Sequence, residues 1–322
     1  MTSTDRDTSF SPWVEVRVPT FKRNGLLIEA LQSLLRQTWT AWQAIVFDDA
    51  GDRETHAIVQ DLNDKRIVYR ANPSRLGASG NLNQCFQSNA YYARSSFACC
   101  LEDDNWLYPH ALESNIVTMQ STGALIMMRN QDIYSRTRSA LSKTNATTLG
   151  CWFSRDGFYE PIDLIARTFF YTGISNGALF WNVNCSSTLQ DTSHVVDPSL
   201  QEYVRCWQIK EPLFVQLDAA LGYSDPDSPT HRHYTVDKSF SRAIQHAHGQ
   251  MLRKHGGDLI SSVAECGRSF GRLQQAVNSV SNIASLAAVI GLMKRGLPVS
   301  WSYVIRGTAK RLFVRSPLKA LL

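Results

Sequence analysis

Carboxylates gather at two points in the sequence where an apolar run has just ended. Glu102, Asp103 and Asp104 follow one such run, and Asp48 and Asp49 follow another. Neighbouring carboxylates disfavour one another's charge unless a cation or a substrate hydroxyl interacts with them. Hard oxygen donors suit Mg²⁺ or Mn²⁺, and Mg²⁺ typically takes one or two protein carboxylates together with substrate phosphates. The clusters therefore indicate a divalent metal with a phosphorylated substrate, although an acidic triplet alone is also typical of a solvated turn.

A cation lies in a loop between these clusters. Arg75 belongs to Asn72–Asn81, which is rich in turn-forming residues and precedes a predicted helix. An arginine in such a loop can meet a diphosphate, with the backbone amides of the helix start assisting. An exposed arginine in a turn is the alternative, and the residues themselves leave both open.

The elements that must position these groups alternate over the first 130 residues. Strands are predicted at residues 14–18 (stopping at Pro19), 44–47, 66–69, 97–101 and 124–128, and helices from Asn24 and over 53–62, 81–92 and 109–120. Strands that alternate with helices of this length indicate parallel βα units, whose ligands bind at the carboxyl ends of the strands. Both acidic clusters are therefore expected at one edge of an α/β sheet.

Five segments, in this order, resemble glycosyltransferase family 2 enzymes with the GT-A fold, and Asp103-Asp104-Asn105 with Pro109 is especially similar to the bacterial spore-coat polysaccharide type. They span roughly residues 13–130 and read Val-Pro-Thr-Phe (18–21), Leu-Leu-Arg-Gln-Thr-Trp (34–39), Val-Phe-Asp-Asp (46–49), the loop 72–83 and Leu-Glu-Asp-Asp-Asn-Trp-Leu-Tyr-Pro (101–109). The resemblance implies a Rossmann-like nucleotide-binding lobe with a mixed, mostly parallel sheet, an acceptor lobe and a C-terminal helical extension.

The resemblance also implies which residues bind the donor. They are Pro19, Thr20, Asp49, Arg75, Glu102 and Asp103. In the family pattern Asp49 contacts a uracil-like base, Asp103 contacts ribose, and Asp104 binds the Mn²⁺ or Mg²⁺ that bridges the diphosphate. Glu102 takes the first place of an acidic triad that is usually aspartate.

The catalytic base is expected in a later segment. Residues 197–207 resemble the part of the family that carries an acidic pair and then a tryptophan, and Gln201-Glu202 and Trp207 fill these places. Glutamate can abstract a proton as aspartate does, so Glu202 is the predicted base, with Asp197 as the second candidate. The loop that follows departs from the family pattern, and His231 and His233 are left as alternatives between a metal or diphosphate contact and a solvated pair.

Charge is distributed unevenly along the 322 residues. Only 19% of the residues are charged and 43% are hydrophobic, which excludes wholesale disorder. Residues 238–322 hold 13 basic and two acidic side chains, whereas the preceding residues carry a net charge of −6. Such asymmetry suggests that the basic end meets an anionic partner, and a membrane surface is favoured over nucleic acid.

The pattern of that basic end is helical. Residues 273–287 divide into a polar and an apolar face, which favours an amphipathic helix over a membrane span. Further on, Trp301, Val304, Ile305 and Leu312 fall on one face among basic residues, which is typical of a helix lying in the plane of an anionic membrane. A helix packed on the rest of the protein is the alternative.

Localisation is predicted from the cysteines and the first residues. The seven cysteines lack zinc-ligand spacing, and Cys99 and Cys100 lie in an apolar run as expected of buried thiols. Residues 1–12 lack the apolar segment of a secretory signal. A reducing, cytoplasmic compartment is therefore expected, with peripheral attachment to the inner face of a membrane.

The expected function is that of an inverting, metal-dependent glycosyltransferase, which moves a sugar from a UDP- or dTDP-sugar to a hydroxyl of a glycan or lipid-linked acceptor in bacterial surface polysaccharide synthesis. The predicted parts are a donor lobe at 13–130, an acceptor and base lobe at 131–237 and a basic helical extension at 238–322. A sugar-1-phosphate nucleotidylyltransferase is one alternative, and a non-catalytic nucleotide-sugar-binding subunit is another.

Overall fold

The central element of the chain is a mixed sheet with helices on both faces. A computed structural model describes residues 11–137, 140–170, 175–190, 198–224, 238–283 and 286–313. The strands are β1 (Trp13–Thr20), β2 (Trp42–Asp48), β3 (Ile67–Ala71), β4 (Ser95–Cys100), β5 (Asn105–Leu107), β6 (Ile126–Arg136), β7 (Leu141–Thr147), β8 (Gly157–Tyr159), β9 (Leu179–Asn182) and β10 (Leu213–Tyr223). The helices are α1 (Asn24–Leu35), α2 (Arg53–Asp61), α3 (Gly77–Gln84), α4 (Ala111–Thr122), α5 (Pro161–Thr168), α6 (Pro198–Gln208), α7 (Lys238–Ser269), α8 (Leu273–Asn282), α9 (Leu286–Lys294) and α10 (Trp301–Phe313).

The strand order is β3-β2-β1-β4-β9-β6-β10-β5, with β7 against β6 and β8 against β10. β1, β2, β3 and β4 are parallel, and β6 and β10 run in the same direction on the far side of the antiparallel β9. The predicted α/β class with a mixed, mostly parallel sheet is therefore confirmed. The carboxyl ends of β1, β2 and β4 meet at one edge, as expected for the acidic clusters.

Successive buried residues of the strands contribute alternately to two apolar cores, one on each face of the sheet. In β2, Ala44 and Val46 face a core formed with α1 and α4, whereas Ile45 and Phe47 face a core formed with α3, α5, α6 and α7. This follows from the period of two along a strand, which turns successive side chains to opposite faces. Cys99 and Cys100 divide between the two cores as free buried thiols, and burial raises the pKa of Cys99 to about 12.

Several elements differ from the sequence prediction; β6, predicted over 124–128, runs on to Arg136. β1 continues through Pro19 to Thr20. β4 pairs with β1 only as far as Arg17, so no strand on that side needs a hydrogen bond from the N–H that Pro19 lacks. Helix α3 begins at Gly77 instead of residue 81 and ends at Gln84. The short strand β5, directly after the acidic triplet, was not predicted at all.

β6 crosses the predicted boundary between residues 130 and 131, so the two predicted lobes share one sheet. The expected helical extension is confirmed, but its amphipathic stretch over 273–287 forms two helices, α8 and α9. Ser281, within this stretch, is buried, and its hydroxyl accepts a hydrogen bond from the backbone N–H of Ser300. Over the described residues, none of the helices is both long and apolar enough to span a bilayer.

A buried histidine joins the helical extension to the rest of the protein. His248 in α7 stacks on Phe169 with 3.8 Å between the ring centroids, and its Nε2 lies 2.9 Å from the hydroxyl of Thr168. Trp207 in α6 donates its indole N–H to the same hydroxyl, at 3.4 Å. Burial lowers the pKa of His248 to about 3, so the imidazole is neutral in the folded protein at neutral pH.

This histidine is expected to make the fold acid-sensitive. In the unfolded chain His248 takes up a proton below about pH 6.5, but the folded protein does so only near its lowered pKa of about 3. Its contribution to stability is therefore complete above about pH 6.5 and falls by up to about 1.4 kcal/mol per pH unit below it. Between about pH 7 and pH 5, the gap in unfolding free energy between wild type and His248→Gln should narrow by about 2 kcal/mol.

Urea unfolding at the two pH values measures that gap. His110→Gln is the matched control, because the His110 side chain is 75% exposed. A gap that stays constant for His248→Gln would contradict the assignment of a neutral, buried imidazole.

Candidate active site

The predicted site forms where the carboxyl ends of β1 and β4 meet. The Thr20 hydroxyl donates to Asp103 Oδ2 at 2.9 Å. Arg23, in the loop between β1 and α1, donates through Nη1 to Asp103 Oδ1 at 3.0 Å and to Asp104 Oδ2 at 3.1 Å. Thr20 and Asp103, both expected to bind the donor, are thus in contact. Arg23, a cation that was not predicted, bridges Asp103 to Asp104, the expected metal ligand.

The charges of this cluster perturb one another. Burial raises the pKa of Asp103, although Arg23 and Thr20 counteract the effect. Burial alone would lower the pKa of Arg23, but Asp103 and Asp104 raise it above its ordinary value. Arg23 therefore stays charged, and its guanidinium holds both carboxylates in fixed positions at the sheet edge.

Asp49 organises the loop that carries Arg75. Its Oδ1 accepts from the side chain of Asn72 at 2.9 Å and from the backbone N–H of Leu76 at 2.7 Å, and its Oδ2 accepts from the N–H of Gly77 at 2.8 Å. Asp49 is 6% exposed. The carboxylate satisfies amide donors at the start of α3, which explains why the helix begins earlier than its local sequence suggests.

The geometry of this loop determines the position of Arg75. Its guanidinium carbon lies 4.5 Å from the ring centroid of Phe21, which comes directly after Thr20. The residue therefore lies beside the end of β1. Pro19 is the last but one residue of β1, paired with Phe47 of β2.

A glycine packs against the acidic triplet from the other side. Gly177, in the 3₁₀ turn Asn176–Ala178 before β9, has no room for a side chain, because a Cβ there would overlap the Asn105 amide and come within 3.5 Å of Glu102 Oε1. The backbone carbonyl of Glu102 accepts from the N–H of Asn105 at 3.0 Å. Glu102 thus faces this turn, whereas Asp103 and Asp104 face Arg23.

Glu202 lies in α6, which contacts α3 and the 3₁₀ turn Asn176–Ala178 through hydrogen bonds of its side chains. Gln201 donates to the backbone carbonyl of Ser79 in α3 at 2.9 Å. Arg205 donates to the side chain of Asn176 and, at 3.3 Å, to Gln201. Glu202 is 5% exposed, an unusual environment for a glutamate on a helix.

The other base candidate and the histidine pair cannot be compared with Glu202. Asp197, His231 and His233 lie outside the described residues. Trp207, which the family pattern places after the base, is buried against Thr168.

Asp104 fits only one kind of metal site. Within the described residues, no group of three His, Cys, Asp or Glu side chains is arranged to hold a metal ion. Mg²⁺ and Mn²⁺ bound with nucleotides need one or two protein carboxylates, since phosphates and water supply the other ligands. Asp104, with Asp103 beside it, suits a cation that arrives with a diphosphate rather than one held by the protein alone.

Sequence reasoning missed three residues of this arrangement, Arg23, Asn176 and Arg205. Arg23 had a usable signal, since a cation three residues after Thr20 lies at the same sheet edge as both acidic clusters. Arg205 had none, because its fully buried guanidinium lies 3.6 Å from the ring centroid of Phe86, a contact between distant parts of the chain.

Comparison with known proteins extends this picture. The sequence model of Glycosyl transferase family 2 matches residues 15–180. UDP-Glc:alpha-D-GlcNAc-diphosphoundecaprenol beta-1,3-glucosyltransferase WfgD of Escherichia coli is 27% identical over 120 residues, which are 37% of this chain and 46% of that protein. GalNAc(5)-diNAcBac-PP-undecaprenol beta-1,3-glucosyltransferase of Campylobacter jejuni is 35% identical over 106 residues, which are 32% of this chain and 33% of that protein. The chain thus matches less than half the length of these curated relatives.

Solved structures show a wider likeness at lower identity. The crystal structure of S. aureus TarS 1-349 has a TM-score of 0.57 and 13% identity, and the match covers 92% of this chain and 87% of that one. TarS 1-349 in complex with UDP-GlcNAc has a TM-score of 0.52 and 14% identity, covering 84% and 80%. Such similarity shows the fold, and the family match spans more than half of the sequence. The chain therefore has the GT-A fold and belongs to glycosyltransferase family 2.

Proposed function

We propose that this chain is an inverting, metal-dependent glycosyltransferase that uses a nucleotide-diphosphate sugar. The observation that carries the proposal is the cluster at the ends of β1 and β4, where Thr20, Arg23, Asp103 and Asp104 are linked by hydrogen bonds of about 3 Å. Paired carboxylates with a neighbouring cation suit a nucleoside diphosphate, whose ribose offers hydroxyls and whose phosphates offer negative charge.

Each residue then has a part in the transfer. Thr20 and Asp103 bind and orient the nucleoside, Asp49 and Arg75 form the wall beside the base and diphosphate, and Asp104 would hold the metal. A bound Mn²⁺ or Mg²⁺ supplies charge neutralisation for the departing diphosphate.

Proton transfer is assigned to helix α6. Glu202 accepts the proton of the acceptor hydroxyl while that oxygen attacks the anomeric carbon opposite the leaving group. The bonds of Gln201 to Ser79 and of Arg205 to Asn176 support this role, because they fix α6 against elements at the donor edge. Glu102 and the closely packed Gly177 hold the acidic segment from behind.

For the donor we propose a UDP- or dTDP-sugar, and for the acceptor a hydroxyl of a glycan or lipid-linked glycan in bacterial surface polysaccharide synthesis. The similar TarS 1-349 has been crystallised with UDP-GlcNAc. The Escherichia coli and Campylobacter jejuni relatives carry diphosphoundecaprenol and PP-undecaprenol acceptors in their names. A lipid-linked acceptor would bring the enzyme to the inner face of the cytoplasmic membrane.

A screen of nucleotide sugars in Mn²⁺, with lipid-linked and free glycan acceptors, tests the function. Release of a nucleoside diphosphate is expected. Pyrophosphate release from a nucleoside triphosphate and a sugar phosphate would instead mean nucleotidylyl transfer, which the family match disfavours. Donor binding without turnover on any acceptor would favour a binding subunit, a role motivated by the Gln201-Glu202 departure from the usual acidic pair.

Asp49→Asn tests how the donor loop is held. The NH2 group that replaces one carboxylate oxygen cannot accept a hydrogen bond, so the bond from the N–H of Leu76 or the one from the N–H of Gly77 is lost. A lost hydrogen bond to a charged group costs about 1.5–3 kcal/mol. We expect every nucleoside diphosphate to bind at least about tenfold more weakly, with a greater loss for UDP and dTDP through the contact with the base. Titration calorimetry with UDP, dTDP and GDP measures this, with the exposed Asp61→Asn as control.

Two outcomes would separate the two roles of Asp49. Unchanged GDP affinity would contradict the role in holding the loop. Equal losses for UDP and GDP would leave no place for a contact with the base.

A further inference from the structure

Helix α10 leaves its most apolar side chains in solvent. The helix packs on α8, and its more buried residues are Tyr303, Val304 and Gly307. Trp301 and Ile305, one turn apart, lie on the other side and are 60% and 67% exposed. Val304 and Leu312 were predicted on the same face as these two; Val304 is half-buried, and the side chain of Leu312 lies outside the described residues.

The preceding helix has a similar outer face. In α9, Ile290 and Met293 are 41% and 60% exposed, and the exposed Lys294 follows them. Among the described residues, the three most exposed large apolar side chains of the chain are therefore Met293, Trp301 and Ile305. We call the four side chains Ile290, Met293, Trp301 and Ile305 the C-terminal apolar face.

Charge indicates what covers this face. No acidic residue follows Glu265 in the sequence, whereas nine lysines and arginines do. Lys294 follows Met293 directly and Arg306 follows Ile305, and both are exposed. A tryptophan and aliphatic side chains interleaved with cations match the interface of an anionic bilayer, where each cation near the surface adds about 1 kcal/mol. The cations would also suit nucleic acid, but binding to nucleic acid does not explain why isoleucine and methionine side chains are exposed.

We propose that the C-terminal apolar face docks the protein on an anionic lipid surface, with Trp301 and Ile305 entering the headgroup region. The exposed Lys294 and Arg306 supply the long-range attraction. Docking of this kind would serve the proposed function, because lipid-linked acceptors lie in such a surface; only this purpose rests on that function.

Sedimentation of the full chain with liposomes tests the proposal. Wild type should pellet with phosphatidylcholine vesicles that contain about 30% phosphatidylglycerol, and much less with phosphatidylcholine alone or in high salt. The double variant Trp301→Gln/Ile305→Gln should bind at least about tenfold more weakly, since it removes the two side chains that would enter the lipid. Val117→Gln is the matched control, because Val117 is 57% exposed on α4 and is expected to leave binding unchanged.

The contrary outcomes are distinct. Equal pelleting of the double variant and wild type, or equal binding to neutral and anionic vesicles, would overturn the proposal. A wild type that is larger than the double variant in lipid-free sedimentation velocity would assign the face to a second copy of the chain. Turnover with a water-soluble acceptor should be the same in both proteins, so that loss of transferase function and loss of docking are read separately.

Discussion

Replacing Glu202 with glutamine is expected to lower turnover by about 10²–10⁴-fold, the usual contribution of a general base. The change keeps the volume of the side chain and removes only its capacity to accept a proton. Because α6 is held by Gln201 and Arg205 rather than by Glu202 alone, the helix should keep its place. Donor affinity, measured by calorimetry, should therefore stay within about twofold of wild type while kcat falls.

Asp197→Asn is the variant that challenges this assignment. If it is inactive while Glu202→Gln keeps a rate close to wild type, the base is Asp197. Glu54→Gln, in the first turn of α2, is a control for the loss of a glutamate at an exposed position away from the candidate site. A Glu202→Gln protein that loses donor affinity together with turnover would mean that Glu202 supports the fold of the donor edge and not proton transfer.

Asp104→Ala is expected to reduce activity by at least about 10³-fold, because it removes the carboxylate proposed to hold the metal against the diphosphate. Arg23 would keep its bond to Asp103 Oδ1, so thermal stability should change little. In wild type, Mn²⁺ should strengthen donor binding relative to a chelator. In Asp104→Ala that difference should disappear.

Donor binding in Mn²⁺ and in chelator measures the metal contribution directly. Asp61→Ala, an exposed carboxylate on α2, is the matched control and should keep the full effect of Mn²⁺. Equal donor affinity of wild type in both solutions would remove the metal from the mechanism and leave Arg23 as the cation that faces the diphosphate.

Elements with a strong local pattern could be predicted from the sequence. The apolar positions of α1 recur at helical spacing, and the runs of β2 and β4 end in acidic residues, so the edge that carries Asp49, Asp103 and Asp104 followed from parallel βα topology. The start of α3 did not follow, because it depends on amides that Asp49 satisfies from 27 residues away in sequence. Strand β5 is three residues long and, within the described residues, pairs with β10 alone. A run that short has no pattern of its own.

The environment of α6 was also beyond local reasoning. The sequence indicated Glu202 by its resemblance alone, and an isolated glutamate on a helix is ordinarily exposed. The helix itself is held through its neighbours: Gln201 contacts Ser79 of α3, and Arg205 contacts Asn176 and Phe86, all of them distant in sequence. Tertiary contacts of this kind leave no trace in periodicity or spacing.

The continuity of β6 matters for anyone who would exchange acceptor specificity between relatives by joining parts of two chains. A junction between residues 130 and 131 cuts a strand whose first residues pair with β9 and whose last residues pair with β7. The side-chain oxygen of Gln131, at the cut, also accepts a hydrogen bond from the Ser175 hydroxyl at 2.7 Å. A junction at Gly123, the left-handed residue that ends α4, keeps β6 with its partners β7, β9 and β10 in one parent. The two parents then meet in the sheet at the pairings of β4 with β9 and of β5 with β10.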